Sequence, residues 1–245
     1  WLKPFGSKWQ DPSFHMTTSL FAKDGVAVCL ESGSGILTLT LDRGECRINP
    51  TSVQLLSEAL EVVERAEHPK SLVVIGTGKF FCNGMDVEWM QSNSASAGAM
   101  IDSFCECLAR LLVLDCHTVC AISGHGFGAG LFLALACDWR IMRNDKAWVN
   151  FPEMNLGMRL SKGLAELAKA KLSPPALRTG VLNGIRFTSS QALAAGIVDD
   201  ECPEAELLQR ATELARHNLP TSLKLRNFNP NNFKTMKIEL YTDAY

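Results

Sequence analysis

The stretch that decides the fold spans residues 118–157 and reads TVCAISGHGFGAGLFLALACDWRIMRNDKAWVNFPEMNLG. A short apolar run comes first, then a glycine-rich turn, an apolar segment with no polar face, and a second apolar run. These patterns predict a buried strand over 118–123, a buried helix over 131–136 and a strand over 139–142. A strand, a helix and a second strand form a βαβ unit, so neighbouring parallel strands are expected.

The residues before this stretch extend the same pattern. Apolar runs at 26–30 and 36–41 flank the sequence ESGSG and predict a β-hairpin. Asn49-Pro50-Thr51 has the composition of a helix start. A continuous apolar run at 71–75 predicts a buried strand, and apolar residues at helical spacing predict a helix over 100–112.

After Gly157 the chain changes character and becomes mostly helical. The predicted helices cover 160–172, 175–182, 189–195 and 204–217, with one brief strand at 197–198. The whole pattern predicts an α/β protein with a mostly parallel sheet and a helical final third.

Composition limits the function classes. The chain has 245 residues, 47% hydrophobic and 20% charged, with a formal net charge of -2. This is ordinary usage for a globular α/β domain, and the absence of a basic run argues against nucleic acid or an anionic membrane surface as partner. Because no apolar run reaches roughly 18 residues, no transmembrane helix is predicted.

The nine cysteines are odd in number, and several lie in apolar segments where a thiol packs as a small hydrophobic group. We therefore predict a reducing compartment with no disulfide framework. Cys105 and Cys107 form the one close pair and lack a matching His or Cys pair, so no zinc or other metal site is predicted.

Three regions are predicted along the chain. Residues 1–23 are interpreted as a leader or extension, because their start is aromatic, proline-containing and aperiodic, with Met16 as a candidate native start. Residues 24–200 form the predicted core, and 201–245 a helical C-terminal segment.

The glycine-rich turn GHGFGAG, residues 124–130, admits three interpretations. Its spacing fits a dinucleotide-binding turn, but it lies mid-chain and Asp138 precedes the next strand instead of following it. Close strand–helix packing without a ligand is the second interpretation. We favour the third, in which the N–H of Ala129 is free at the start of a buried helix and stabilises an oxyanion on a bound carbonyl.

A second loop, KFFCNGMDV at residues 79–87, follows the strand predicted at 71–75. Open α/β sheets place ligand contacts after such strands, although a plain loop is the alternative. Glu153 would supply a base if the chain returns it to the same pocket. His125 is interpreted as a hydrogen-bonded turn residue in preference to a catalytic one.

At these residues the chain resembles the crotonase (enoyl-CoA hydratase/isomerase) superfamily. FFCNGMDVEWM resembles that family's first oxyanion loop, GHGFGAGLFLALACDWRIM its second loop and helix, and NFPEMNLGM its catalytic-acid segment. GIRFTSSQALAAGIVDD is similar to a segment near the end of the family core, and the match runs from about residue 24 to 215. The resemblance implies a crotonase-type spiral of βαβ units with a helical C-terminal segment.

The resemblance also assigns roles. Met85 and Ala129 would donate their N–H groups to the oxyanion, and Glu153 would be the catalytic residue. The remaining implied substrate-binding residues are Asn83, Gly84, Asp86, Val87, Phe132 and Pro152.

One departure from the family pattern separates the possible activities. Hydratases of this family carry a second glutamate at the position that Phe132 occupies here. Adding water to a double bond needs two acid/base groups, whereas shifting a double bond needs one base that takes and returns a proton. The expected activity is therefore that of a Δ3,Δ2-enoyl-CoA isomerase, with Met90, Phe132 and Trp148 as candidate walls of an acyl pocket, or alternatively plain core.

Three rivals stay open: a dienoyl-CoA isomerase, a thioester hydrolase and a non-catalytic acyl-CoA-binding protein. The resemblance implies no cofactor, because CoA is part of the substrate, and a homotrimer or dimer of trimers. It also implies β-oxidation in a peroxisome or mitochondrion, and neither terminus carries an address that decides between them.

Overall fold

The computed structural model describes residues 17–245. Met16 and the residues before it, which were interpreted as part of a leader, lie outside the described residues. The strands are β1 (Thr17–Lys23), β2 (Val26–Glu31), β3 (Ile36–Leu41), β4 (Ser71–Gly76), β5 (Phe80–Cys82), β6 (His117–Ile122), β7 (His125–Phe127), β8 (Trp139–Arg143), β9 (Val149–Asn150) and β10 (Asp200–Cys202).

The helices follow the predicted alternation with the strands. They are α1 (Pro50–Arg65), α2 (Val87–Ser92), α3 (Ser94–Leu112), α4 (Ala129–Leu135), α5 (Lys162–Lys171), α6 (Pro174–Ala176), α7 (Ser189–Ala194), α8 (Glu204–His217) and α9 (Pro230–Leu240). A 3₁₀ turn covers Met154–Leu156, and a π-helical turn, Leu177–Leu182, continues α6. None of these helices is long and apolar enough to cross a membrane.

The larger sheet has seven strands in the order β1-β2-β3-β4-β6-β8-β10. Strands β1, β2 and β3 are antiparallel, and the strands from β3 onward run parallel. The predicted hairpin at 26–41 and the predicted parallel βαβ units are both confirmed. The short turn after β2 allows the antiparallel pair, whereas each parallel strand returns through a helix that places the next strand beside it.

Both faces of this sheet are covered by apolar side chains. One face carries Val73, Val119 and Ile141, which pack against Leu207 and Ala211 of α8. The other face belongs to a larger apolar cluster that includes side chains of α1, α3 and α4. This double cover explains why the parallel strands read as continuous apolar runs in the sequence.

One prediction at the end of the core is wrong. Residues 197–198 are not a strand: both are buried, and their N–H groups bond to the carbonyl of Ala192, which closes the turn after α7. The strand there is β10, which pairs with β8 and crosses the predicted boundary at 200. Residues 17–23, placed in the predicted leader, form the edge strand β1. Because β1 is almost wholly exposed, it lacks the alternation that predicts a strand.

A second, smaller sheet has the order β5-β7-β9 and was not predicted. All three strands run parallel and contain two or three residues each. Segments this short carry no readable periodicity. This small sheet nevertheless positions the candidate site.

Candidate active site

The predicted site residues follow the three strands of the small sheet. Cys82 pairs with Gly126, and Phe127 pairs with Asn150, so the strands end at one edge. Because parallel strands present their carboxyl ends together, the segments 83–86, 128–129 and 151–153 converge there.

The loop after β5 is held by backbone hydrogen bonds on both sides of Met85. The N–H of Ile48 donates to the carbonyl of Gly84 at 2.8 Å, and the N–H of Asp86 donates to the carbonyl of Ile48 at 2.9 Å. These bonds make a short parallel bridge between Ile48 and Met85 that leaves the N–H of Met85 pointing away from Ile48. Among the described residues, this N–H has no acceptor.

The turn after β7 leaves a second N–H available. Gly128 adopts φ +49°, a left-handed conformation that favours glycine, and precedes the first residue of α4. The N–H of Ala129, at this helix start, also has no acceptor within residues 17–245. A helix start concentrates the positive end of the helix dipole, which favours a developing negative charge.

Two glycines bring these donors together. A Cβ on Gly84 would lie 3.7 Å from the nitrogen of Ala129 and 2.9 Å from the carbonyl oxygen of Phe127, so the two loops are in contact. A Cβ on Gly130 would lie 2.3 Å from the carbonyl oxygen of Cys82, which is closer than any real contact. Glycine at both positions lets α4 approach β5 directly, so the loop that carries Met85 lies beside the start of α4.

Glu153 completes this arrangement. A Cβ on Gly128 would lie 3.7 Å from its Oε1, and Oε2 is buried without a hydrogen-bond partner among the described residues. Burial raises the pKa of Glu153, opposed only by a hydrogen bond from its own backbone. No charged side chain contributes to the shift. A carboxyl group with a raised pKa is a stronger base when ionised, which suits it to accept and return a proton.

The sequence profile of the family described as enoyl-CoA hydratase/isomerase matches residues 31–238. This chain belongs to that family. Its structure has the crotonase fold, with mixed strands and helices like those of its solved relatives.

Three relatives illustrate the range of this family. A peroxisomal enoyl-CoA delta isomerase 2 of Arabidopsis thaliana is 33% identical over 70% of this chain and 74% of its own length. A 2,3-dehydroadipyl-CoA hydratase of Escherichia coli (strain K12) is 30% identical over 75% of this chain and 73% of its own. An enoyl-CoA isomerase of Mycobacterium tuberculosis, solved in its apo form, has a TM-score of 0.78 and 25% identity, with coverage of 90% and 92%.

Around this crotonase pocket, several predicted substrate-binding residues have structural partners. Asp86 caps α2 by accepting from the N–H of Trp89 at 3.1 Å. Asn83 is tied to Glu45, since its backbone N–H donates to the Glu45 carbonyl at 2.9 Å and its side chain to the carboxylate at 3.2 Å. Val87 is the first residue of α2 and is half-buried.

Pro152 and Phe132 lie behind the pocket wall. A Cβ on Gly128 would meet the ring of Pro152 at 3.4 Å. Phe132 is 0% exposed and packs edge-on against Phe151, with ring centroids 5.2 Å apart. In this structure Phe132 is therefore part of the core, which is the alternative that the sequence left open for it.

The small sheet separates two other candidates from the pocket. His125 begins β7 and Trp148 precedes β9, so both lie at the amino ends of these strands, opposite Glu153. The Nδ1 of His125 accepts from the N–H of Trp148 at 3.1 Å, so His125 is hydrogen-bonded as predicted, although it lies in β7 and not in a turn. Trp148 is 45% exposed, so the core alternative is wrong for it, and its place at the amino ends of the strands is away from Glu153. Met90 is half-buried against the core.

All nine cysteines are free thiols, and among residues 17–245 no group of three or more His, Cys, Asp or Glu side chains could hold a metal ion. One residue with a place in the site was not predicted: Asn49, whose amide contacts Asp86. The only sequence signal at Asn49 was its position before Pro50, which indicated a helix start and nothing about the pocket.

Proposed function

We propose that this chain is a Δ3,Δ2-enoyl-CoA isomerase that converts a 3-enoyl-CoA into 2-trans-enoyl-CoA. The observation that carries the proposal is the isolation of Glu153. Burial, and no neighbouring charge, raises its pKa, and the α4 position where hydratases of this family place a second glutamate holds the buried Phe132. One carboxyl group supports a proton transfer within the substrate better than the addition of water.

In the proposed reaction, the thioester carbonyl lies between the N–H groups of Met85 and Ala129. The Glu153 carboxylate removes a proton from C2, and the electron pair moves toward the thioester oxygen to give a dienolate. Two N–H donors stabilise this charge, each contributing about 2.7–4 kcal/mol in comparable oxyanion holes. The protonated Glu153 then returns the proton to C4, which leaves the double bond between C2 and C3.

No metal or redox cofactor takes part in this proposal, since CoA belongs to the substrate. We further propose a peroxisomal location, which the name of the Arabidopsis relative favours. The mitochondrial alternative gains no support from the comparisons.

We also propose that the protein works as a homotrimer or dimer of trimers. Support comes from exposed apolar side chains beside the site, which monomers seldom group together: Met154, Leu156, Leu182 and Ile185 are 42–63% exposed. The two segments that carry them are joined by a hydrogen bond from Asn155 Nδ2 to the Gly184 carbonyl at 2.9 Å. Sedimentation of the purified chain tests this point.

The function is tested with Glu153→Gln and three substrates: 3-hexenoyl-CoA, 2-hexenoyl-CoA and a 3,5-dienoyl-CoA. We expect wild type to isomerise the first, and the variant to lose roughly 10²–10⁴-fold in kcat while acyl-CoA affinity changes only a few-fold. Glu206→Gln, an exposed residue of α8, is the matched control. Preferred hydration of 2-hexenoyl-CoA, or full turnover by Glu153→Gln, would contradict the proposal.

A further inference from the structure

The loop 82–86, which carries the Met85 donor, is attached along its length to the segment 45–49. The Cys82 thiol donates to the Cys46 carbonyl at 2.9 Å, and the Asn83 N–H donates to the Glu45 carbonyl at 2.9 Å. Gly84 and Asp86 bond to Ile48 as described above. Met85 is the one residue of this loop without such a bond, so its N–H direction depends on how its neighbours are held.

Asn49 makes the last of these contacts, a hydrogen bond between its own side chain and that of Asp86. Its Nδ2 donates to Oδ2 of Asp86 at 3.1 Å, while its Oδ1 accepts from the N–H of Ser52 at 3.1 Å and caps α1. The N–H of Asn49 in turn donates to the Ser52 hydroxyl at 2.8 Å. A reciprocal capping box therefore fixes the amide that contacts Asp86.

The Asp86 carboxylate likewise caps a helix and contacts the other member of the pair. Its Oδ1 accepts from the N–H of Trp89 and caps α2, and its Oδ2 is held by Asn49. The hydrogen bond between Asn49 and Asp86 thus joins the start of α1 to the start of α2. It lies next to the peptide group whose N–H, that of Met85, is proposed to donate to the oxyanion. A displacement of about 1 Å in such a donor can cost about 10²-fold in rate. Loss of the Asn49–Asp86 hydrogen bond is therefore expected to slow the reaction by displacing the Met85 N–H.

We infer that Asn49 and Asp86 form a positioning pair that orients the N–H of Met85 toward the thioester oxygen. This inference rests on the proposed oxyanion role of Met85 and adds the residues that set its geometry. Neither side chain needs to touch the substrate. The pair acts on the stabilisation of the enolate, so its loss should lower kcat much more than it weakens binding of the acyl-CoA.

The chemistry of the pair allows a test by exchange. Asn49→Asp keeps an oxygen for the α1 cap, because Asp and Asn cap helices about equally well, but it removes the donor and sets two carboxylates side by side. Asp86→Asn keeps the α2 cap and places two amides together. The double variant Asn49→Asp/Asp86→Asn restores one donor and one acceptor in reversed order, with both caps and the net charge preserved.

Two quantities are measured for wild type, the two single variants and the double variant. The first is kcat and KM with 3-hexenoyl-CoA. The second is the fraction of bound acetoacetyl-CoA that ionises to its enolate, followed by ultraviolet absorbance, which reports the oxyanion donors without turnover. We expect each single variant to lose about 10- to 100-fold in kcat and most of the enolate signal, with KM within a few-fold. The exchanged double variant should recover to within a few-fold of wild type.

The control is Asn229→Asp, the same substitution at the cap of α9, where Asn229 Oδ1 accepts from the Asn232 N–H at 3.0 Å. It should leave both readouts unchanged. Unchanged kcat in both single variants would overturn the inference, and so would losses that the exchange fails to recover. If wild type binds and ionises acetoacetyl-CoA but does not isomerise 3-hexenoyl-CoA, the proposed function fails while the enolate readout still decides the role of the pair.

Discussion

Gly128 lies against Glu153: a Cβ at Gly128 would stand 3.7 Å from Oε1 of the carboxyl group and 3.4 Å from the ring of Pro152. The turn before α4 therefore lies beside the Glu153 carboxyl group, and a side chain at Gly128 would contact both Glu153 and Pro152.

Gly128→Ala should consequently impair catalysis more than stability. The methyl group would be in van der Waals contact with Pro152 and Glu153, and relief of the positive φ would shift the turn beside the carboxyl group, so we expect kcat to fall about 10- to 100-fold. The backbone of Gly128, with φ +49° and ψ −117°, adds roughly 1–3 kcal/mol of strain for a residue with a side chain. Gly33→Ala is the matched control, since Gly33 has φ +75° and nothing within 4 Å. Equal loss of activity in both variants would show that strain alone is responsible.

The raised pKa of Glu153 predicts a shifted pH profile. Only the carboxylate accepts a proton, so kcat/KM should fall as pH decreases through the folded-state pKa, above the ordinary value of about 4.3 for Glu. A pH–rate profile with 3-hexenoyl-CoA measures this limb, with circular dichroism to verify that the protein stays folded. A limb at or below the ordinary value would contradict the burial of the carboxyl group.

Gly130→Ala and Gly98→Ala make a second matched pair, since both glycines lie in helices. A Cβ at Gly130 would overlap the Cys82 carbonyl oxygen at 2.3 Å, which forces α4 away from β5 and separates the two oxyanion donors. We expect at least about 1–3 kcal/mol of destabilisation from overpacking and a large loss of kcat. Gly98 is exposed in α3 with nothing within 4 Å, so Gly98→Ala should stabilise by about 0.4–1 kcal/mol. Thermal unfolding and kcat are measured for both variants to test these expected changes in stability and activity.

The long elements of this fold could be predicted because their apolar residues recur at strand or helix spacing. The run at 71–75 and the helix start at Asn49 are examples. The small sheet could not be predicted, since β9 has two residues and its pairing partners come from distant parts of the chain. That sheet decides which predicted residues meet: it brings Met85, Ala129 and Glu153 to one edge and leaves His125 and Trp148 at the other.

A partly buried lysine, Lys171, lies beside Tyr241 at the end of α9 and should make the stability of the protein depend on pH. Lys171 Nζ lies 3.1 Å from the Tyr241 hydroxyl and 3.3 Å from the Cys137 carbonyl. Burial lowers the pKa of Lys171 from 10.5 to about 8, against the opposing effect of Asp138 and with a smaller contribution from Arg140 and Lys237. Because the folded state releases this proton more readily than the unfolded state, the contribution of Lys171 to the free energy of unfolding should rise with pH between about 8 and 10.5.

Lys171→Met should remove this rise, whose upper limit is roughly 3 kcal/mol at 1.36 kcal/mol per pKa unit. Urea unfolding at several pH values, in the presence of a thiol reductant, measures it. Lys169→Met is the control, because Lys169 is on the same helix, is exposed and pairs with Glu166 at 2.6 Å. The raised pKa values of Tyr241 and of buried cysteines such as Cys107 and Cys116 act in the opposite direction, so the contribution of Lys171 is the difference between wild type and Lys171→Met at each pH. A pH dependence that is unchanged in Lys171→Met would mean that the folded protein keeps this lysine protonated as readily as the unfolded chain does.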